Sequence, residues 1–237
     1  MAHTAVIGAT GLVGSQILSQ LLESSLTTRI QAITRRPFPP FNLPAEVVSK
    51  LNSIVEPDSS KWPASVVQTD VFFSALGTTR GDAGGIEKQR KIDYELNLEM
   101  AKAAKEKGVK TYVLVSSAGA SVNSFAAYSK MKGELERDVI ALKFEKTIIL
   151  RPGLLVGNRG EKTRTLEQPL HSVANFMGKI TPVLKDVWAQ EDSTVARAAI
   201  RAAFEEATWE GRTLTRDGED GKVWIMSQKE IVELGKK

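Results

Sequence analysis

The chain has 237 residues, 42% of them hydrophobic, and its 32 Lys and Arg against 28 Asp and Glu leave a net charge of +4, with no cysteine. That length allows one large domain, or one with an appended lobe, while the lack of cysteine excludes disulfides, thiolate catalysis and zinc–thiolate sites. Basic residues mix with acidic ones instead of forming a stripe, which argues against a nucleic-acid partner, and only His3 and His171 could supply imidazole to a metal.

In chain order, the apolar run Ala5-Val6-Ile7 predicts a strand over residues 4–7, and Gly8-Ala9-Thr10-Gly11-Leu12-Val13-Gly14 follows with GxxGxxG spacing. Glycine at positions 8 and 11 lets the backbone turn sharply and approach a ligand closely. A missing Cβ at Gly14 lets the next helix pack on the strand. Ile17, Leu18, Leu21 and Leu22 predict that helix over 12–23 with one buried face. The free N–H groups at its start would face a pyrophosphate; an ordinary β-turn-α corner fits the same residues. A second strand over 29–34 ends at Thr34-Arg35-Arg36. A dinucleotide fold meets the adenine ribose at this point, and an NAD site wants an acidic residue there. Two guanidinium groups suit a 2′-phosphate instead. NADP(H) is therefore the expected cofactor, with at least one of the two arginines pointing into solvent. Four of the nine prolines fall within 37–44 and predict a connector.

Further strands are predicted over 53–55, 71–75, 111–116 and 147–150, and helices over 87–107, 128–142 and 195–206. This alternation, with Val, Ile and Phe in the strands, predicts an α/β fold with a Rossmann-type doubly wound parallel sheet. Residues 1–155 would form its core. Residues 156–237 carry fewer strand signals and a polar, glycine-containing stretch at 159–162. They would form a small C-terminal substrate lobe packed on the same domain, at the sheet edge where open α/β folds bind ligands. Asp217-Gly218-Glu219-Asp220-Gly221 lacks the spacing of a calcium loop, and its flanks at 213–215 and 223–226 predict a surface hairpin. No run of about 18 apolar residues predicts a membrane-spanning helix. A strand that starts so close to Met1 leaves no room for a cleavable leader.

The fifth strand ends in Ser116-Ser117, and Tyr128-Ser129-Lys130-Met131-Lys132 lies on the helix after it. Residues four apart share a helix face. A free tyrosine titrates near about 10, too high for acid–base work at neutral pH, and a nearby ammonium stabilises the phenolate. A hydroxyl at a strand end can hydrogen-bond a carbonyl. Alternatively, the serines only end the strand, and Tyr128 and Lys132 stand on a solvated helix.

Glycine turn, post-strand arginine, strand-end serines and YxxxK, in this order, resemble the short-chain dehydrogenase/reductase superfamily. Leu76-Gly77-Thr78-Thr79-Arg80-Gly81, Lys91-Ile92-Asp93-Tyr94, Val115-Ser116-Ser117-Ala118-Gly119-Ala120, Lys132-Gly133-Glu134 and Leu150-Arg151-Pro152-Gly153 resemble its atypical members of the Tat-interacting-protein/metastasis-suppressor type. Within that type, Asp58-Ser59-Ser60-Lys61-Trp62 and Ala103-Ala104-Lys105-Glu106-Lys107-Gly108 resemble the fungal found-in-mitochondrial-proteome family. The resemblance covers nearly the whole chain and thins after about Gly160. It implies that Gly8, Thr10, Gly11, Leu12, Val13 and Gly14 cradle the pyrophosphate and that Arg35 takes the 2′-phosphate, with Arg36 beside it. Leu76, Gly77 and Thr78 would line the cofactor, and Pro152, Gly153 and Leu154 would close over the nicotinamide. Ser117, Tyr128 and Lys132 would be the catalytic set, the last two also touching the cofactor, with Ser116 as the alternative serine. Members with a full tetrad carry an asparagine on the helix before strand five. The matching position here is Asp93, with Asn97 one turn on, and this departure bears on the proton relay.

Two function classes fit. The first is an NADP(H)-dependent oxidoreductase that reduces a small-molecule carbonyl, with Tyr128 as proton donor. The second is an NADPH-binding regulatory or scaffold protein, a redox sensor with a protein partner and little turnover. The resemblance further implies a peripheral place on the cytosolic face of the mitochondrial outer membrane. The residues alone fit a cytoplasmic protein equally well, and they leave the oligomeric state open.

Overall fold

The computed structural model describes residues 1–39, 43–156, 189–216 and 218–236. Strand β1 (Ala2–Ile7) leads into α1 (Leu12–Glu23), β2 (Thr27–Thr34), a short α2 (Ala45–Val48) and β3 (Leu51–Val55). The chain then crosses back to β4 (Val71–Ser74), α3 (Arg80–Ala83) and α4 (Ile86–Arg90). A π-helical stretch (Lys91–Leu96) joins α4 to α5 (Asn97–Glu106), ahead of β5 (Thr111–Val115), α6 (Ala127–Ala141) and β6 (Lys146–Leu150). Strands β7 (Leu154–Val156) and β8 (Ala189–Glu191) form a separate two-stranded sheet, and α7 (Asp192–Phe204), β9 (Lys222–Met226) and α8 (Gln228–Gly235) follow.

The main sheet runs β3-β2-β1-β4-β5-β6-β9, and every neighbouring pair is parallel. Strand order reverses between β1 and β4, so the C-terminal ends of these strands frame a crevice. The central strands β4 and β5 are buried at every residue, as their unbroken apolar runs require when helices cover both sheet faces. Edge strand β3 is only partly buried. On one face α1 buries Ile17, Leu18, Leu21 and Leu22 together with Val195, Ala198, Ala199 and Ala202 of α7. On the other, Met100, Ala101 and Ala104 of α5 join Leu135 and Val139 of α6 and Trp62.

The doubly wound sheet matches the expectation, and the six strands expected up to residue 150 all form. Two expectations are corrected. Residues 223–226 are not an arm of a surface hairpin. They pair in parallel with β6, Thr147 opposite Val223 through Leu150 opposite Met226. Val223, Trp224 and Met226 are buried, and Trp224 meets Trp209 edge-on at 5.4 Å between centroids. Burial of that apolar run outweighs the local turn signal, which survives as one antiparallel bridge between Arg216 and Val223. The single helix expected over 87–107 is broken by the π-helical stretch. Strand β9 extends the main sheet, and α7 packs on α1. The polar stretch at 159–162 and the middle of the proline-rich connector lie outside the described residues.

Candidate active site

Most of the expected site residues sit on loops or in the first turns of helices at the C-terminal edge of the sheet. After β1, Gly8 adopts φ +73°, in the left-handed region. A Cβ there would stand 2.4 Å from the Ala75 carbonyl oxygen, so the turn rests directly on the end of β4. The N–H of Gly11 donates to the Gly8 carbonyl at 2.9 Å. A Cβ on Gly14 would fall 2.1 Å from that same oxygen. Helix α1 then starts with no side-chain cap and no acid in its first turn. Its leading N–H groups and dipole are thus open to an anion, and a pyrophosphate fits this cradle. Thr10 and Gly11 are exposed and Leu12 half-buried, whereas Val13 and Gly14 are buried and can offer only backbone.

Arg35 and Arg36 leave the end of β2, both exposed, and neither forms an ion pair among the described residues. The Thr34 hydroxyl donates to the Arg36 carbonyl at 2.8 Å and curls the chain at this point. The Asp58-Ser59-Ser60-Lys61-Trp62 motif after β3 is structural. Asp58 caps a short turn through the Ser60 N–H, and buried Trp62 donates its indole N–H to the Glu56 carbonyl at 2.8 Å.

The loop after β4 is held from below. Asn97 is fully buried, accepts from the Ser74 hydroxyl at 2.5 Å and donates to the Leu76 carbonyl at 2.9 Å. It therefore supports Leu76 and does not face the crevice. Asp93, on the π-helical stretch, accepts from the Thr78 N–H at 2.7 Å and lies 3.3 Å from the Lys132 ammonium. The side chains of both partners are almost fully buried, at 1% and 3% exposed. Burial raises the Asp93 carboxyl above its ordinary value, against the opposing pull of Lys132 and the Thr78 N–H. A Cβ on exposed Gly77 would stand 3.3 Å from Asp93 Oδ1 and 3.9 Å from Lys132 Nζ, which places this pair directly beneath the loop.

Helix α6 carries Tyr128 and Lys132 one turn apart, with Lys132 Nζ 5.9 Å from the centre of the Tyr128 ring. Tyr128 is 39% exposed. Gly133 lets this helix press on the loop before it, since a Cβ there would lie 2.3 Å from the Ser121 carbonyl carbon. The two candidate serines differ in environment. Ser116 is buried and donates to Glu136 Oε1 at 2.5 Å, and Glu136 is held by Arg151 through Nε at 3.1 Å and Nη2 at 2.5 Å. That hydrogen bond to Glu136 raises the Arg151 guanidinium above its ordinary value. Ser117 is only half-buried, with its hydroxyl on the neighbouring Ala118 carbonyl at 3.3 Å. It is the more accessible of the two serines, and no hydrogen bond among the described residues joins it to Tyr128. The Ala118 N–H donates to the Pro152 carbonyl at 2.8 Å, which brings Pro152 and Gly153 alongside Ser117. Leu154 opens β7, and its side chain lies outside the described residues.

A cavity of about 550 Å³ opens beside Tyr128, lined among others by Thr78, Thr79, Arg80, Ile86 and Ala127. The sequence reading missed Glu136 and the ion pairing of Asp93. For Glu136 a signal exists: it sits among Met131, Leu135 and Val139 on the buried stripe of α6, where an acid requires a partner.

The fold is that of the short-chain dehydrogenases/reductases. The chain matches the YIR035C short chain dehydrogenase/reductase of Saccharomyces cerevisiae with a TM-score of 0.70 at 15% identity, over 99% of both chains. It matches MoeE5 in complex with UDP-glucose and NAD with a TM-score of 0.65 at 16% identity, over 98% of this chain and 80% of that one. In sequence, the model of the HIM1 family matches residues 57–185. The protein named fmp52-1, mitochondrial, of Aspergillus oryzae is 47% identical over 241 residues, spanning 99% of this chain and 98% of that protein. The protein named fmp52, mitochondrial, of Aspergillus niger is 47% identical over 241 residues, spanning 100% and 99%. The chain belongs to the HIM1 family, and these fungal Fmp52 proteins are its relatives.

Proposed function

We propose that this protein is an NADP(H)-dependent oxidoreductase that reduces a small-molecule carbonyl to an alcohol. The observation that carries this reading is the Tyr128 phenol facing a cavity at the ligand edge, with the Lys132 ammonium 5.9 Å from its ring. When bound, the cofactor supplies a hydride. The chain's own residues do the rest. The N–H groups of the glycine turn hold the pyrophosphate, and Arg35, with Arg36 beside it, holds the 2′-phosphate. Leu76, Gly77 and Thr78 on one side and Pro152, Gly153 and Leu154 on the other position the nicotinamide end, where Lys132 also holds the ribose. Ser117 donates to the substrate carbonyl and fixes its direction. Tyr128 gives its proton to the carbonyl oxygen, so the alcohol gains one hydride at carbon and one proton at oxygen. The Lys132 charge stabilises the phenolate left behind.

A second reading, an NADPH-binding regulatory protein with a protein partner, is favoured by the Asp93–Lys132 pair, since a neutralised ammonium activates the phenol less. The test is NADPH oxidation followed by absorbance over a panel of aldehydes and quinones. Tyr128→Phe is expected to lower turnover by roughly 10²–10⁴-fold while NADPH affinity stays nearly intact. Wild-type turnover in that variant overturns the assigned role. NADPH binding with no turnover on the whole panel selects the regulatory reading. The names of the relatives place them in mitochondria, and we assign the same compartment here, as a peripheral protein on the cytosolic face of the outer membrane. Among the described residues no helix is long and apolar enough to cross a membrane.

A further inference from the structure

The cavity beside Tyr128 has walls of different character. Ile86, Ala126 and Ala127 supply an apolar side, and Tyr128 supplies a phenol. Arg80, exposed at the start of α3, supplies a positive charge. Among the described residues no aspartate or glutamate lines this space. Several polar groups around it are already committed. The Gln89 amide donates to the Thr78 carbonyl at 2.8 Å, and the Thr79 hydroxyl donates to Asp82 at 2.9 Å. Arg90 is paired with Glu134 at 2.7 Å, and Lys132 with Asp93 at 3.3 Å. The Arg80 guanidinium, by contrast, has no hydrogen bond or ion pair among the described residues. It is the one uncommitted charge in the described lining of the cavity that Tyr128 faces.

We propose that Arg80 binds an anionic group of the substrate, so that the substrate class is a small carbonyl compound with a carboxylate or a phosphate at its far end. This deepens, and rests on, the reductase reading above. A guanidinium offers forked donors that match a carboxylate or a phosphate oxygen pair. With the anion on Arg80, the body of the substrate lies along the apolar wall of Ile86 and Ala127 and its carbonyl reaches toward Tyr128. A cavity of about 550 Å³ is of the size that holds a small ligand. A neutral substrate of the same length fills the apolar wall but leaves the guanidinium to water. The selection is thus made by the charge of Arg80 and the chemistry by the phenol of Tyr128, both on the lining of one cavity.

The test compares para-carboxybenzaldehyde with para-methylbenzaldehyde, two aldehydes of similar shape that differ in charge, on the full chain with NADPH. Wild type is expected to favour the carboxylated aldehyde by about tenfold in kcat/KM, a charge-assisted contact discounted for the exposure of Arg80. Arg80→Gln is expected to collapse that ratio through KM. Equal kcat/KM in wild type, or a ratio that persists in Arg80→Gln, overturns the proposal while the reductase reading stands. A second readout needs no turnover: calorimetric titration of the NADP⁺-loaded protein with para-carboxybenzaldehyde, where Arg80→Gln is expected to weaken binding about tenfold. If wild type reduces neither aldehyde, this titration decides the matter alone. Binding weakened in Arg80→Gln sustains the Arg80 assignment without the reductase reading, and binding that is absent or unchanged overturns it.

Discussion

On the β1–β2 side of the crevice stand the uncapped N–H groups at the start of α1 and the exposed side chains of Arg35 and Arg36. Among the described residues no buried charge supports them. On the β4–β6 side, the groups at the strand ends are tied to buried charges: Thr78 and Lys132 to Asp93, and Ser116 and Arg151 to Glu136. The difference separates two ways of fixing a site. Close backbone packing holds the first side, where a missing Cβ sets the geometry. The second is held by electrostatic pairs that desolvation makes costly to break singly. The first side should therefore fail by collision and the second by unpaired charge.

The largest effect is expected at the glycine turn. Gly14→Val places a Cβ about where the Gly8 carbonyl oxygen stands, 2.1 Å away, and the obstacle is backbone, which cannot rotate aside. Helix α1 must move off the turn, so NADPH binding is expected to be lost and the melting temperature to drop. Calorimetry with NADPH, alongside circular dichroism, reads both. A folded variant with wild-type NADPH affinity would show that the turn is only a corner of the fold.

The buried pair comes next. Asp93→Asn keeps an acceptor for the Thr78 N–H but leaves the Lys132 ammonium buried without its counter-charge. Breaking a buried pair from one side typically costs about 3–5 kcal/mol, which urea unfolding would read. Adding Lys132→Met is expected to recover most of the loss, because the second charge no longer needs solvation. If the double variant is as unstable as the single one, packing and not charge is what the pair provides. The pH dependence has a defined sign. The folded-state pKa of Asp93 is raised, chiefly by burial, so the folded state binds this proton more tightly than the unfolded one. The contribution of this carboxyl to stability then falls as pH rises through the window above the ordinary carboxylate value. Asp93→Asn removes that slope.

The sequence disclosed the glycine-held side of the site more fully than the charge-held side, and the reason is range. Gly8, Gly11 and Gly14 act on one another within seven residues, and the strand before them and the amphipathic face after them are local patterns too. Arg35 and Arg36 follow from where β2 ends. The Tyr128–Lys132 spacing was also legible, because a helix brings residues four apart together. The partner of Lys132 was not, since it is reached through the π-helical stretch that no periodicity marks. Ser116 and Ser117 are adjacent and alike in sequence. Only the position of Glu136 beneath the sheet edge separates the buried serine from the accessible one. Strand β9 is hidden for the same reason: four apolar residues after a turn signal do not say which sheet they join, and the partner β6 lies far back in the chain.

The smallest effect is expected where the groups are most exposed. If Arg35 and Arg36 hold a 2′-phosphate, NADPH binds more tightly than NADH, and Arg35→Ala lowers the ratio of the two affinities. A charge-assisted hydrogen bond can reach a factor of about 10 to 100, but both arginines face solvent, and screening reduces the effect toward about tenfold. Arg36→Ala, measured in parallel, tells which guanidinium carries the phosphate. Ionic strength supplies an independent reading. A preference built on exposed charges shrinks as salt rises, whereas the pyrophosphate grip of the glycine turn, made by backbone N–H groups common to both cofactors, leaves the ratio untouched. Titration of NADPH and NADH by calorimetry at low and high salt therefore distinguishes the two contributions. Equal affinities in wild type, or a ratio unchanged in both arginine variants, removes the arginines from the site and leaves the glycine turn as the only anchor on that side.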